Sequence, residues 1–159
     1  MAISVKTDRI PEMLKAVENL TKKEVLVGIP AGADRPNDGP PNALLGYVHE
    51  FGSPARNIPP RPFLHPGIRS AQAQIEAAFR KGADAALDGD EKAGDVALNS
   101  AGLIGMTAAK KMITSGSFTP LKPATIAARR RKGFFSEKPL VVTGSLINSI
   151  TYVIRPKEA

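Results

Sequence analysis

Few residues in this 159-residue chain could do chemistry: two histidines, His49 and His65, and no cysteine. Thiolate nucleophiles, disulfide frameworks and thiolate zinc sites are therefore excluded. His49-Glu50 opens like a zinc-protease helix, but Ser53 stands where the second histidine ligand belongs. A metal site would need carboxylates to complete a set of three ligands. The reading the spacing favours is structural: His49 and Glu50 lie at a helix end and hydrogen-bond to loop backbone. Asp88-Gly89-Asp90 begins like a calcium loop, but Lys92 takes the third ligand position and Ala93 replaces the required glycine. It reads as a solvated turn between helices. No phosphate loop, dinucleotide fingerprint or nucleophile elbow occurs, and no aromatic-rich groove accompanies a carboxylate pair. The chain is expected to be no enzyme, with no catalytic residue, metal or cofactor.

The strongest physical signal is charge. The chain carries 22 basic and 15 acidic side chains, a net +7. Between Lys110 and Lys138 lie Lys110, Lys111, Lys122, Arg129, Arg130, Arg131, Lys132 and Lys138 against Glu137 alone, so this stretch holds the whole excess. Successive helical positions turn by about 100°, so Arg129–Lys132 cannot all face one way. One reading is a solvated helix C-terminus, where cations complement the helix dipole. The other is contact with phosphate or an acidic partner. No nucleic-acid reader motif or aromatic stacking platform surrounds the run, which leaves non-specific DNA contact as the form nucleic-acid binding would take.

The elements that must position these residues follow from periodicity. Ile10, Met13, Leu14, Val17 and Leu20 recur at helical spacing after Asp8, with Pro11 in the tolerated first turn. Residues 24–29 read as a buried strand stopped by Pro30, and residues 30–41 as a long Pro/Gly-rich loop. Asn42 is placed to cap a helix through Phe51, with Leu44, Leu45, Val48 and Phe51 on its apolar side and Gly52 ending it. Residues 53–62, with four prolines, predict a stiff extended strap. With Ile58, Phe63 and Leu64 it could simply cover its own surface or lie across a neighbouring subunit.

A long helix is predicted from about Pro66, with the stripe Ile68, Ala71, Ile75, Ala78, Phe79, Gly82 and Ala86. A second runs from about Glu91 to Ile113, with Ala97, Ala101, Ile104, Ala108 and Met112 on one stripe. Its Gly102 and Gly105 suit close approach by another backbone. Pro123 opens a third helix that carries the arginines and ends at Gly133. Thr143-Gly144-Ser145 can cap one turn, and residues 150–155 alternate as a closing strand. This order predicts an α+β fold with a small mixed or antiparallel sheet against long helices, in one domain spanning 1–159. Fourteen prolines, fourteen glycines and 5% aromatics imply a thin core that gains stability from neighbours. With no long apolar run and no apolar leader, the chain is expected to be soluble, unsecreted and free of membrane.

Two blocks carry a resemblance. The first is residues 42–52, NALLGYVHEFG, followed by 58–64, IPPRPFL. The second is Phe118-Thr119-Pro120-Leu121, Thr125-Ile126 and residues 138–146, KPLVVTGSL. Together they resemble tailed-bacteriophage neck and tail-completion proteins, the group of HK97 gp10-like tail components and virion morphogenesis proteins, over roughly residues 24–154. The resemblance implies a structural virion protein that assembles as a ring, commonly sixfold, at the head–tail joint. Its implied partners are copies of itself, the head connector or stopper, and the tail terminator or tube. It is expected in the host cytoplasm during assembly and in the virion neck afterwards. The alternatives are a tail terminator ring and a non-specific DNA-binding protein. The expected interface residues are Phe51, Arg56, Ile58, Arg61, Phe63 and Leu64. Lys110, Lys111, Arg129, Arg130, Arg131 and Lys132 are expected to meet packaged DNA or an acidic partner.

Overall fold

The computed structural model describes residues 10–32 and 39–157, so half of the expected loop at 30–41, residues 33–38, lies outside the described residues. The element order is α1 (Ile10–Thr21), β1 (Lys23–Gly28), α2 (Asn42–Phe51), a 3-10 turn (Pro54–Arg56), α3 (Leu64–Ser70), α4 (Gln72–Leu87), α5 (Ala93–Ser115), α6 (Pro123–Arg131), α7 (Ser145–Ser149) and β2 (Thr151–Pro156). The fold is α+β, as the pattern predicts.

The first and last strands close the chain on itself. β1 and β2 pair antiparallel, with Val25 opposite Ile154, Leu26 opposite Val153 and Val27 opposite Tyr152. Because strand side chains alternate between faces, Val27 and Tyr152 share one face, and both meet α5. A Cβ added at Gly102 would fall 2.3 Å from the Tyr152 ring, and one at Gly105 would fall 3.1 Å from Val27 Cγ2. The two glycines are thus the seat of the sheet on the helix. The opposite face carries Leu26 and Val153, both exposed.

α5 is the axis of the molecule. Its 23 residues span about 34 Å at 1.5 Å per residue. Ala93, Ala97, Ala101, Gly105 and Ala109 are buried along it, so the buried line follows the predicted stripe at Ala97 and Ala101 and then runs one residue past it, at Gly105, Ala109 and Ile113 in place of Ile104, Ala108 and Met112. Small side chains let α3 and α4 approach closely. At Gly67 of α3 a Cβ would lie 2.7 Å from the Ala109 Cα. The core proper gathers at the C-terminal end of α5, where Phe63, Ala109, Ile113, Leu140, Leu146 and Ile150 pack together.

Three expectations are corrected. Asn42 does not cap α2: Pro41 precedes the helix with no side-chain cap, and the buried Asn42 side chain instead exchanges hydrogen bonds with the Ser145 hydroxyl at 3.2 Å. The strap at 53–62 is not extended throughout. Ser53 and Ile58 bond to each other's backbone at 2.9 and 3.0 Å, closing a turn through Asn57, whose φ of 52° is left-handed; asparagine tolerates that region. The helix predicted from Pro66 is two helices, parted at the buried Ala71 (φ −104°, ψ 7°).

The Gly67 contact is backbone against backbone and has no flexible side chain to yield. Gly67→Ala should lower stability by about 1–3 kcal/mol. Gly28→Ala, where an added Cβ meets nothing within 4 Å, should stay within about 0.5 kcal/mol of the parent. Urea unfolding of the two variants checks the contrast.

Candidate functional site

The zinc-protease-like pair His49-Glu50 resolves into a structural clamp. Glu50 ends α2 pointing inward, with its side chain 5% exposed. Its Oε2 accepts the backbone N–H of Phe63 at 2.8 Å and of Leu64 at 2.9 Å. Its Oε1 accepts the N–H of His65 at 3.0 Å and lies 2.8 Å from His65 Nδ1. Nδ1 must carry that proton, because a carboxylate only accepts. One carboxylate thus satisfies the first N–H groups of α3, a helix with no capping side chain of its own, and places negative charge at its positive end. Burial is the largest single influence on the Glu50 pKa and raises it, but the N–H groups of Leu64, His65 and Phe63 and the His65 ring together hold it below the ordinary carboxylate value.

Beside this clamp, Arg61 is drawn inside. Its N–H donates to the His49 carbonyl at 2.6 Å. Its guanidinium donates from Nε to the Thr119 carbonyl at 2.8 Å and from Nη2 to the Pro120 carbonyl at 3.2 Å. The two sequence blocks of the resemblance are therefore joined in space: Arg61 of the first fastens Thr119-Pro120 of the second. Phe63, 1% exposed, follows into the core.

These placements divide the expected interface. Arg61 and Phe63 are buried within their own subunit, a correction to their expected docking on a neighbour. The clamp pulls the chain at 61–63 inward, so the strap covers its own core. Leu64 is half-buried against the same core, and Ile58 is half-buried in the turn. Phe51 and Arg56 remain exposed. Of the predicted apolar side of α2, Leu44 and Phe51 face outward, with Tyr47 between them. Leu44, Tyr47 and Phe51 are 50%, 63% and 57% exposed, and the Tyr47 and Phe51 rings stand 4.9 Å apart with His65 beyond. Leu45 and Val48 face the body instead. α2 is apolar on both sides, and periodicity alone could not say which side meets the core.

The basic residues also separate. Lys110 is half-buried and Lys111 exposed. Arg129 turns inward, its Nη1 donating to the Ser136 and Lys138 carbonyls at 3.1 and 2.9 Å. Arg130 pairs with Glu137. Arg131 and Lys132 stand exposed at the end of α6. Lys110–Lys138 forms one pole of the molecule, at the C-terminal end of α5. The opposite end carries Asp84, Asp88, Asp90, Glu91 and Asp95, all five exposed; within residues 84–95 only Lys92 opposes them, and from β1 Lys23 reaches across to pair with Asp95 at 2.6 Å. Sequence reading recorded the basic pole and passed over the acidic one, although the run 88–91 was legible.

Comparison with protein-family models, curated proteins and solved structures finds no match for the chain. Among the described residues no helix is long and apolar enough to cross a membrane.

The lowered Glu50 pKa links the clamp to pH. Its contribution is fully present above the ordinary carboxylate pKa, about 4.3, and is lost as pH falls through the lower folded-state value. Glu50→Gln puts an amide donor among donors and should cost about 2–3 kcal/mol at pH 7. Denaturation of parent and variant across pH 7 to 3 should show the gap closing in acid.

Proposed function

We propose that this chain is a structural virion protein, forming a ring at the head–tail joint of a tailed bacteriophage and completing the tail and its attachment to the head. The resemblance of residues 42–64 and 118–146 to neck and tail-completion proteins motivates the role. The surface supports it physically. The observation that carries the ring is the segregation of charge to the two ends of α5, basic at Lys110–Lys138 and acidic at Asp84–Asp95.

A two-fold contact around either pole would set like charge against like. A head-to-tail contact sets basic pole against acidic pole, and heterologous contacts of that kind close into rings when the rotation allows. The exposed Leu44, Tyr47 and Phe51 stripe supplies apolar area of the sort that neighbouring subunits cover. The motifs act as scaffold: Glu50, Arg61 and Phe63 spend their chemistry on holding α2, α3 and the 118–121 segment together.

Two measurements test this reading. Particles made without the gene should appear by electron microscopy as filled heads and separate tails. Tails of abnormal length would move the protein to the tail terminator, and intact infectious virions would overturn the role. Reversing the exposed charges, Arg130→Glu with Arg131→Glu, should leave the melting temperature near that of the parent and reduce particle assembly. A protein that instead binds DNA through this pole would lose affinity by orders of magnitude between about 50 and 200 mM salt, and unchanged virion yield in the reversed variant would remove the pole from assembly.

A further inference from the structure

Beyond the clamp, one groove holds a cation that meets no anion among the described residues. It lies between α2, the end of α6 and the start of α7, is lined by Leu45, His49, Arg129, Val142, Thr143 and Ser145 among others, and encloses about 180 Å³. Cofactor and drug-like pockets run from roughly 300 Å³ upward, so this one suits a single short side chain.

Arg129 is its charged wall. Nη1 is committed to the Ser136 and Lys138 carbonyls, which fixes the guanidinium plane. Nε and Nη2, the edge that grips a carboxylate through two parallel bonds, have no partner among the described residues. Neither does Arg129 meet any carboxylate there: the five ion pairs of the described residues involve other cations, or Arg130 alone of the arginine run. The charge that acts on it is another cation, Arg61, itself 7% exposed, with its guanidinium bonded to the Thr119 and Pro120 carbonyls. Burial first, and the Arg61 charge second, lower the Arg129 pKa, as expected for a partly dehydrated cation beside another cation. Leaving such charge unpaired is costly, and an entering anion would relieve it.

We propose that this groove is a binding site for one carboxylate of a partner protein, gripped by the free edge of the Arg129 guanidinium. The donor whose chemistry fits is the Asp88-Gly89-Asp90-Glu91 turn of a second copy, exposed and at the opposite pole; this choice of donor rests on the head-to-tail reading, whereas the groove itself does not. The groove's apolar side, from Leu45 and Val142, favours a carboxylate on a short methylene stem over a hydrated phosphodiester.

The full chain, labelled with nitrogen-15, is titrated with an acetylated and amidated Asp-Gly-Asp-Glu peptide and, separately, with inorganic phosphate. Saturable shifts are expected at the Thr143–Leu146 amides and at Arg129 Nε with the peptide, and weaker ones with phosphate. Arg129→Gln should weaken peptide binding by about tenfold or more, while Arg131→Gln, outside the groove, leaves it unchanged. Should Arg129→Gln disturb the 136–138 loop, Thr143→Glu tests the same site by placing a carboxylate in the groove, and it should abolish binding. Absence of saturable shifts, equal loss in Arg131→Gln, or tighter binding of phosphate than of peptide would overturn the proposal. Peptide binding to a chain that never associates with itself would uphold the groove and refute the second copy as donor.

Discussion

The Glu50 carboxylate is the constraint on which the rest of this structure depends. It belongs to α2, yet every group it holds lies beyond the proline-rich segment, at Phe63, Leu64 and His65. A buried carboxylate is tolerated only when its charge is met by donors, and here the donors are the N–H groups that the start of α3 cannot satisfy internally. Each side thus removes the other's penalty. Once they meet, Phe63 is placed in the core, Arg61 is held against Thr119 and Pro120, and α3 is laid along α5 closely enough that Gly67 touches backbone. The prolines at 59, 60 and 62 reduce the conformational entropy lost in ordering the span between them.

Electrostatics along α5 provides a second level of organisation. Acids cluster near its N-terminus and cations beyond its C-terminus, each the sign that the helix dipole prefers. The same arrangement that stabilises one long helix leaves the subunit with two unlike ends. The inward turn of Arg129 belongs to this picture as well, since a cation held by carbonyls in a small groove is oriented before any partner arrives.

Much of the fold was legible. The first helix, the strand stopped before Pro30, the helix opened by Pro123 and the closing strand all follow from spacing and from Pro and Gly as punctuation, and the structure places them at Ile10–Thr21, Lys23–Gly28, Pro123–Arg131 and Thr151–Pro156. The reading of the helix end as bonded to backbone beyond it holds for the Glu50 side chain, while His49 contributes its main-chain carbonyl to Arg61. What failed were judgements of side. α2 has two apolar faces, and only the position of Phe63 and Ile29 against Gly46 decides that Leu44, Tyr47 and Phe51 look outward. The small-residue line of α5 was read slightly rotated, because alanine and glycine carry little hydropathy contrast for periodicity to register.

The sequence by itself therefore determined the class of fold, most of the helices and both strands, the absence of thiol chemistry and the location of the positive charge, since each of these depends on local propensity, composition or counting. Tertiary structure alone decided that Asn42 bonds to Ser145 instead of capping its helix, that Arg61 and Phe63 are interior, and that Arg129 parts company with Arg130, Arg131 and Lys132. Each of those outcomes rests on a partner seven or more residues away in the chain, and the energy of a hydrogen bond or a buried ring depends on what stands opposite it. Local pattern carries no record of that opposite group; only the folded chain brings it within reach.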